Sequence, residues 1–387
     1  MKTLMKNKLI LLLFPTVIFA NLIGEIQVTN TQTKDNVKDT YFANDKTNDT
    51  VLSVQYSDSI DSLEYSLKLS NRLNNSIIDR AYLKYTYNVN GINSISTKIG
   101  TLTPLTTEID PGESTNVRIP MIYGPSGSYS NKFFAGFADS IVGANIEFKT
   151  MVDDSIVMTN SIDYGKFREF DDGKAEMSLY YYQSDLTDVS FENKTARTYR
   201  TAFNFVEYNF LIDYKKHYFE FDVNKDHGYS DLELYMMLIS QNPILTPDLA
   251  LVSNNEFEVV TDRVNLVHKN NHFSILYEYY NLKVNNKDFG KLVDNNSEMY
   301  YLAVYPSTYI SLYGAYSVLH LSEKNLDLEE NMYGIRYMPN SKWTFSTEYR
   351  KTDWVNIDNY KAYLEITKDG QDKIDQEIIM TQVIRRF

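Results

Sequence analysis

The chain has no cysteine among its 387 residues, which excludes disulfide staples, thiolate metal sites and a cysteine nucleophile. Histidine is sparse, the five being His217, His227, His268, His272 and His320. None lies in a serine elbow or a His-Glu-x-x-His arrangement. His268 and His272 stand four apart, but in a strand-turn-strand context that spacing does not place two rings on one helical face. The Asp222-x-Asn224-x-Asp226 run lacks a glutamate at the twelfth loop position and reads as a turn. No metal, cofactor or catalytic residue is therefore expected. Beyond residue 20 no apolar run approaches the ~20 residues of a spanning helix. Positive charge is also in deficit, with a formal net charge of −13, which disfavours a nucleic-acid partner.

Aromatics are abundant instead, with 32 Tyr and 20 Phe. They favour strands and suit membrane-water boundaries, where a ring can lie in lipid while its hydroxyl stays wet. The first twenty residues differ from the rest. Lys2, Lys6 and Lys8 precede the apolar run Leu9 to Phe19, and Ala20 can end it. This is the pattern of a cleaved secretory signal over residues 1–20, leaving one unit over 21–387. Its loss takes three lysines and no acid, so the formal charge moves from −13 to −16.

An exported chain with low mean hydropathy, −0.38, can still span a membrane as a closed barrel, because only alternate residues need be apolar. Period-two segments do recur. Leu63, Tyr65, Leu67 and Leu69 alternate with Glu64, Ser66, Lys68 and Ser70; Ala81 to Val89 follows, then the Asn90-Gly91 turn and a return strand through Ile99. Val142 to Phe148 turns at Asp153-Asp154 into Ile156 to Tyr164. Further strands are expected near 175–183, 199–212, 215–223, 229–239, 257–268, 272–284, 297–305, 308–321, 330–338, 341–352, 359–368 and 375–387, the first clear ones lying near residue 50. Phe219, Phe221 and Val223 are expected to face away from Glu220 and Asp222. Short connectors alternate with long ones, as tight periplasmic turns alternate with outer loops. The fold class predicted is all-β: a transmembrane antiparallel up-and-down β-barrel of about 16 strands, 16 to 18 at most. A soluble sandwich would have shorter strands.

The signal, the repeated alternation and a last strand ending in Phe387, with Val383 and Ile379 before it, resemble the bacterial outer-membrane porins. Arg385 stands where that family usually has an aromatic or aliphatic residue. A second likeness, Lys98 to Leu105 followed by Arg118-Ile-Pro120, is similar to a strand ending in Gly-Arg-x-x-x-Pro-Leu, with Thr101 in place of the arginine. The resemblance implies an outer-membrane location in a Gram-negative (diderm) bacterium. It also implies contact with lipid and lipopolysaccharide, recognition of Phe387 by the barrel-assembly machinery, and a homotrimer. It further implies an inward-folded constriction loop over 102–138, carrying Glu108, Asp110, Glu113, Arg118 and Lys132.

Alternation alone assigns Lys68, Lys84, Lys98, Glu147, Lys149, Glu220, Asp222, Glu278, Arg336, Glu348 and Arg350 to the lumen. Together these point to a porin passing small hydrophilic solutes or ions by passive diffusion, and the acidic net charge favours cations weakly. Two other readings stand beside it: an adhesin or structural barrel whose outer loops bind a partner, and a barrel hydrolase. Channel steps in a planar bilayer separate the first pair, and loop-histidine substitutions address the third.

Overall fold

The computed structural model describes residues 22–35, 46–73, 76–90, 93–102, 141–167, 190–224, 256–287, 290–321, 326–355 and 375–387. Sixteen strands carry the fold: β1 Leu22–Asp35, β2 Lys46–Ile60, β3 Leu63–Leu73, β4 Ser76–Asn88, β5 Ser94–Leu102, β6 Ile141–Asp153, β7 Ile156–Phe167 and β8 Ser190–Phe205, then β9 Phe210–Asn224, β10 Glu256–Lys269, β11 Phe273–Asn286, β12 Gly290–Ser307, β13 Ile310–Leu321, β14 Leu326–Asn340, β15 Trp343–Val355 and β16 Asp375–Arg386. Each pairs antiparallel with its chain neighbours, and β1 pairs with β16, so the sheet closes and no edge remains unpaired.

Seven hairpins turn at one end of the barrel: β2/β3, β4/β5, β6/β7, β8/β9, β10/β11, β12/β13 and β14/β15. Asparagine recurs in them because its side-chain oxygen can cap the amides that a reversing chain leaves open. Asn270 Oδ1 accepts from the amides of His272 and Phe273 at 2.8 and 2.9 Å. Asn340 Oδ1 accepts from Lys342 and Trp343 at 2.9 and 3.1 Å. Asn209 ends the 3-10 turn Val206–Tyr208 with φ 49°, a left-handed conformation asparagine tolerates. Residue 22 and residue 387 lie at this same end, joined by reciprocal backbone bonds of 3.0 Å between Gly24 and Phe387. The long connectors 103–140, 168–189, 225–255 and 356–374 all leave from the opposite end.

The barrel and the strand number of 16 agree with the sequence reading. One strand escapes it: β1 lies wholly ahead of the first strands expected near residue 50, where β2 is found, and its outer half is a polar Thr-Gln-Thr-Lys-Asp run with no apolar beat. The expected break near 213 is also misplaced. The chain turns at Val206–Asn209 instead, which is why Ala202 to Ile212 changes phase. The phase of β9 is reversed as well. Phe219 is buried inside, whereas Glu220 lies outside, accepting a hydrogen bond from Thr195 at 3.0 Å and pairing with Arg197 at 3.5 Å. The segments 175–183, 229–239 and 359–368, and residues 1–20, fall outside the described residues.

Candidate functional site

Burial alternates along the strands, and in a closed barrel the buried member of each pair faces inward. On β14 and β15 Arg336, Ser346, Glu348 and Arg350 are buried, while Tyr333, Ile335, Tyr337 and Phe345 are exposed. The exterior is layered. Next to the short turns stand Trp343, Phe345, Tyr337, Phe210, Phe205 and Phe387; Trp343 and Phe345 stack at 5.7 Å, and Arg385 lies over Trp343 at 5.1 Å. Trp343 thus supplies the aromatic surface that position 385 itself lacks. Aliphatic residues such as Leu302, Leu312, Ile335 and Ile379 follow, all exposed.

A second tier then carries Tyr199, Tyr214, Tyr300, Tyr316 and Tyr333. Six residues separate Trp343 from Tyr349 on β15, or ~20 Å along a strand and ~15 Å along the axis of a barrel tilted by ~40°. Among the described side chains of β8 to β12, exterior charges such as Arg197, Asp262 and Glu298 lie at and beyond this tier. Tyr214 donates to Asp262 at 2.6 Å, and Tyr300 to Glu298 at 2.7 Å. An apolar belt between two aromatic tiers is the surface a lipid bilayer solvates.

The interior divides into two unlike halves. Along β3 to β6 the inward side chains Glu64, Lys68, Lys84, Lys98, Asn145 and Glu147 are half-buried and Lys149 is exposed. Across the same wall the inward positions Gly100, Gly143 and Gly165 stand in one register row, continued by Ala196. Bare backbone there is dictated by closeness. A Cβ on Gly143 would lie 2.1 Å from the Tyr164 carbonyl oxygen, and one on Gly100, which holds φ +123°, 2.2 Å from that of Ala81.

From β8 to β16 the inward face is dry. Leu276, Met299, Tyr301, Ala303, Tyr313 and Met332 form an apolar cluster inside the barrel. Ion pairs complete it: Arg350 and Glu348, both 0% exposed, meet at 2.6 Å, Arg350 reaches Glu330 at 3.6 Å, and the Tyr313 hydroxyl donates to Glu348 at 3.1 Å. Arg263 holds Glu278 at 2.8 Å through Nε, and Asp213 takes Arg200 at 2.9 Å and Lys215 at 3.7 Å. Charges out of water persist only when paired in this way.

The candidates from sequence therefore separate by environment. Lys84, Lys98, Glu147 and Lys149 lie inside on the accessible wall. Glu278, Arg336, Glu348 and Arg350 lie inside on the buried wall, each at most 1% exposed. Glu220 lies outside, correcting the expectation, and the side chain of Asp222 is not among those described. Glu108, Asp110, Glu113, Arg118 and Lys132 lie outside the described residues. Sequence reasoning misses Arg200, Asp213 and Lys215, because the chain turns at Val206–Asn209 rather than near 213, and it misses Arg263, whose strand is found where expected but whose pairing with Glu278 depends on register. Among the described residues no group of three or more His, Asp or Glu is placed to hold a metal.

Phe387 packs its ring over Gly24, where a Cβ would approach within 2.3 Å of Cε2. Gly24→Leu is expected to displace that ring and slow barrel closure about tenfold, an order-of-magnitude estimate for losing one aromatic contact across a seam. Refolding from urea into detergent micelles, followed by gel mobility, measures it. An unchanged rate would show that the ring does not guide closure.

No protein-family model matches the chain, and neither does a curated relative. Solved structures do match. OmpT of Vibrio cholerae, an outer-membrane protein, is 11% identical, with 96% of this chain and 100% of that one covered at a TM-score of 0.54; it has also been solved in a trimer form. The anion-selective porin from Comamonas acidovorans is 9% identical, covering 95% and 98% at 0.55. OmpF of Salmonella typhi, solved with daunomycin, is 11% identical, covering 95% and 97% at 0.54. At these identities the likeness establishes the fold, that of the outer-membrane porins.

Proposed function

We propose that this porin-fold barrel resides in the outer membrane of a diderm bacterium and passes small hydrophilic solutes or ions by passive diffusion, without catalysis. The observation that carries the reading is the accessible inner wall of β3 to β6, where charged side chains keep contact with water inside a barrel whose outside is apolar. A barrel built only as a scaffold has no use for half-exposed lysines on its inner face. Homotrimerisation and contact with lipopolysaccharide are part of the proposal, supported by the trimer form of the OmpT relative. So are cleavage after residue 20, recognition of Phe387 during assembly, and a constriction formed by 102–138.

Purified protein reconstituted in a planar bilayer is expected to give stepwise openings with ohmic current. A barrel that shows the heat-dependent gel shift of a folded protein yet never conducts would refute the channel and favour the adhesin reading.

A further inference from the structure

Among the described residues both halves of the interior carry more inward cations than acids, and they differ in whether those charges are open to solvent. On the buried half the inward acids have cationic neighbours, as with Arg350 beside Glu348 and Glu330, and Arg263 beside Glu278. On the accessible half the inward charges among the described residues are Lys68, Lys84, Lys98, Lys149 and the buried Arg80, against Glu64 and Glu147. Glu64 is engaged by the Tyr82 hydroxyl at 2.6 Å, and Lys98 lies over the Tyr82 ring at 3.9 Å. Lys84 and Lys149 make no ion pair among the described residues.

Lys84 and Lys98 also face each other directly in the β4–β5 register. Like charges in directly opposed positions destabilise a sheet. Water or a passing anion between them relieves that repulsion, whereas a passing cation adds to it. Beside this pair the Gly100, Gly143 and Gly165 row removes side chains from the wall, leaving room for a hydrated ion.

We propose that the aqueous route follows the β3–β6 wall alone and that its lysines select small anions, against the sign of the chain's net charge. This rests on the reading of the barrel as a water-filled channel, and it adds where the route runs and what it prefers. At ~8 Å in water one unit charge biases a passing ion by about twofold. Two lysines therefore bias it by about fourfold.

The test has two arms. In a potassium chloride gradient across a planar bilayer, the wild type is expected to develop a potential negative on the dilute side. Lys84→Gln/Lys98→Gln is expected to lower the chloride-to-potassium permeability ratio about sixteenfold with openings retained, since each charge favours the anion and disfavours the cation by the same factor. Lys351→Gln removes the same kind of charge from the exterior and is expected to leave the ratio unchanged. A cation-preferring wild type, or a ratio that the inner pair does not move, overturns the proposed selectivity while leaving the channel intact.

The second arm needs no conductance, because the chain has no native cysteine. Thr86→Cys, inward beside Lys84, is expected to react with an anionic methanethiosulfonate at least twofold faster than with a cationic one. Ser346→Cys, on the buried wall, is expected to resist both. Equal reactivity of the two cysteines overturns the placement of the route, and a folded barrel that labels as expected but does not conduct overturns the channel reading instead.

Discussion

Arg350→Met is expected to cost the barrel about 3–5 kcal/mol, the range for removing one partner of a buried ion pair. The guanidinium is wholly buried and serves two carboxylates, Glu348 and Glu330. With it gone, both acids remain in a dry interior among Met332, Tyr313 and Met299. The Tyr313 hydroxyl still donates to Glu348, but a neutral donor does not replace the lost charge. A thioether of similar length fills the volume but offers no charge, so the loss is electrostatic and the cavity term is small. Urea titration of the detergent-folded protein, read by protease resistance, gives the change. Adding Glu348→Leu to Arg350→Met is expected to restore part of the loss, because setting one apolar side chain against another removes one stranded charge. If Arg350→Met unfolds at the wild-type urea concentration, the interior at β14 and β15 is hydrated and the division of the lumen into wet and dry halves fails.

Gly143→Val is expected to be at least as damaging, by a different cause. The new Cβ would collide with the Tyr164 carbonyl oxygen and with Gly165 Cα at 2.7 Å. Both are backbone, so relief requires β6 and β7 to move apart and lose ladder hydrogen bonds. A cost of about 3 kcal/mol or more follows from forced overpacking. The yield of heat-modifiable barrel is expected to collapse, whereas Ala144→Val, one residue along and facing outward, is expected to be neutral. Equal yields from the two variants would mean that the close approach of β6 and β7 is not what the glycines serve.

How much of this was legible in the sequence depends on which side of a strand carries information. Where the inside is wet and the outside oily, as on β4 with Lys84 between Leu83 and Tyr85, the alternation gives both the strand and its facing. Where the inside is dry, it gives the strand alone. Phe219 and Glu220 alternate as cleanly as Leu83 and Lys84, but the phenylalanine faces inward, because the β9 wall is packed and Glu220 has Arg197 outside. The same ambiguity hides the cluster of Leu276, Met299 and Tyr313, whose apolar residues on both strand faces blur the period.

Turn chemistry was visible at Asn90-Gly91 and Asp153-Asp154, whose residue types mark a reversal. It was invisible at Val206-Glu-Tyr-Asn209, which contains neither glycine nor proline. Pairing of charges across strands, such as Arg263 with Glu278, depends on register that one sequence does not print.

The seam between β1 and β16 fixes an order in time. Arg386 meets Glu25 at 2.9 Å across 361 positions of chain, and Gln382 reaches Thr29 at 3.1 Å across 353, among the longest loops that the described residues close. Contacts of such separation form late, since their closure entropy is met only after nearer strands have zipped. Until then Leu22–Asp35 and Asp375–Arg386 are two raw margins with unsatisfied amides, each able to capture a stranger. Whatever escorts this chain to its bilayer must shield those two margins longest, and a molecule cut short of its final dozen residues would be left permanently adhesive.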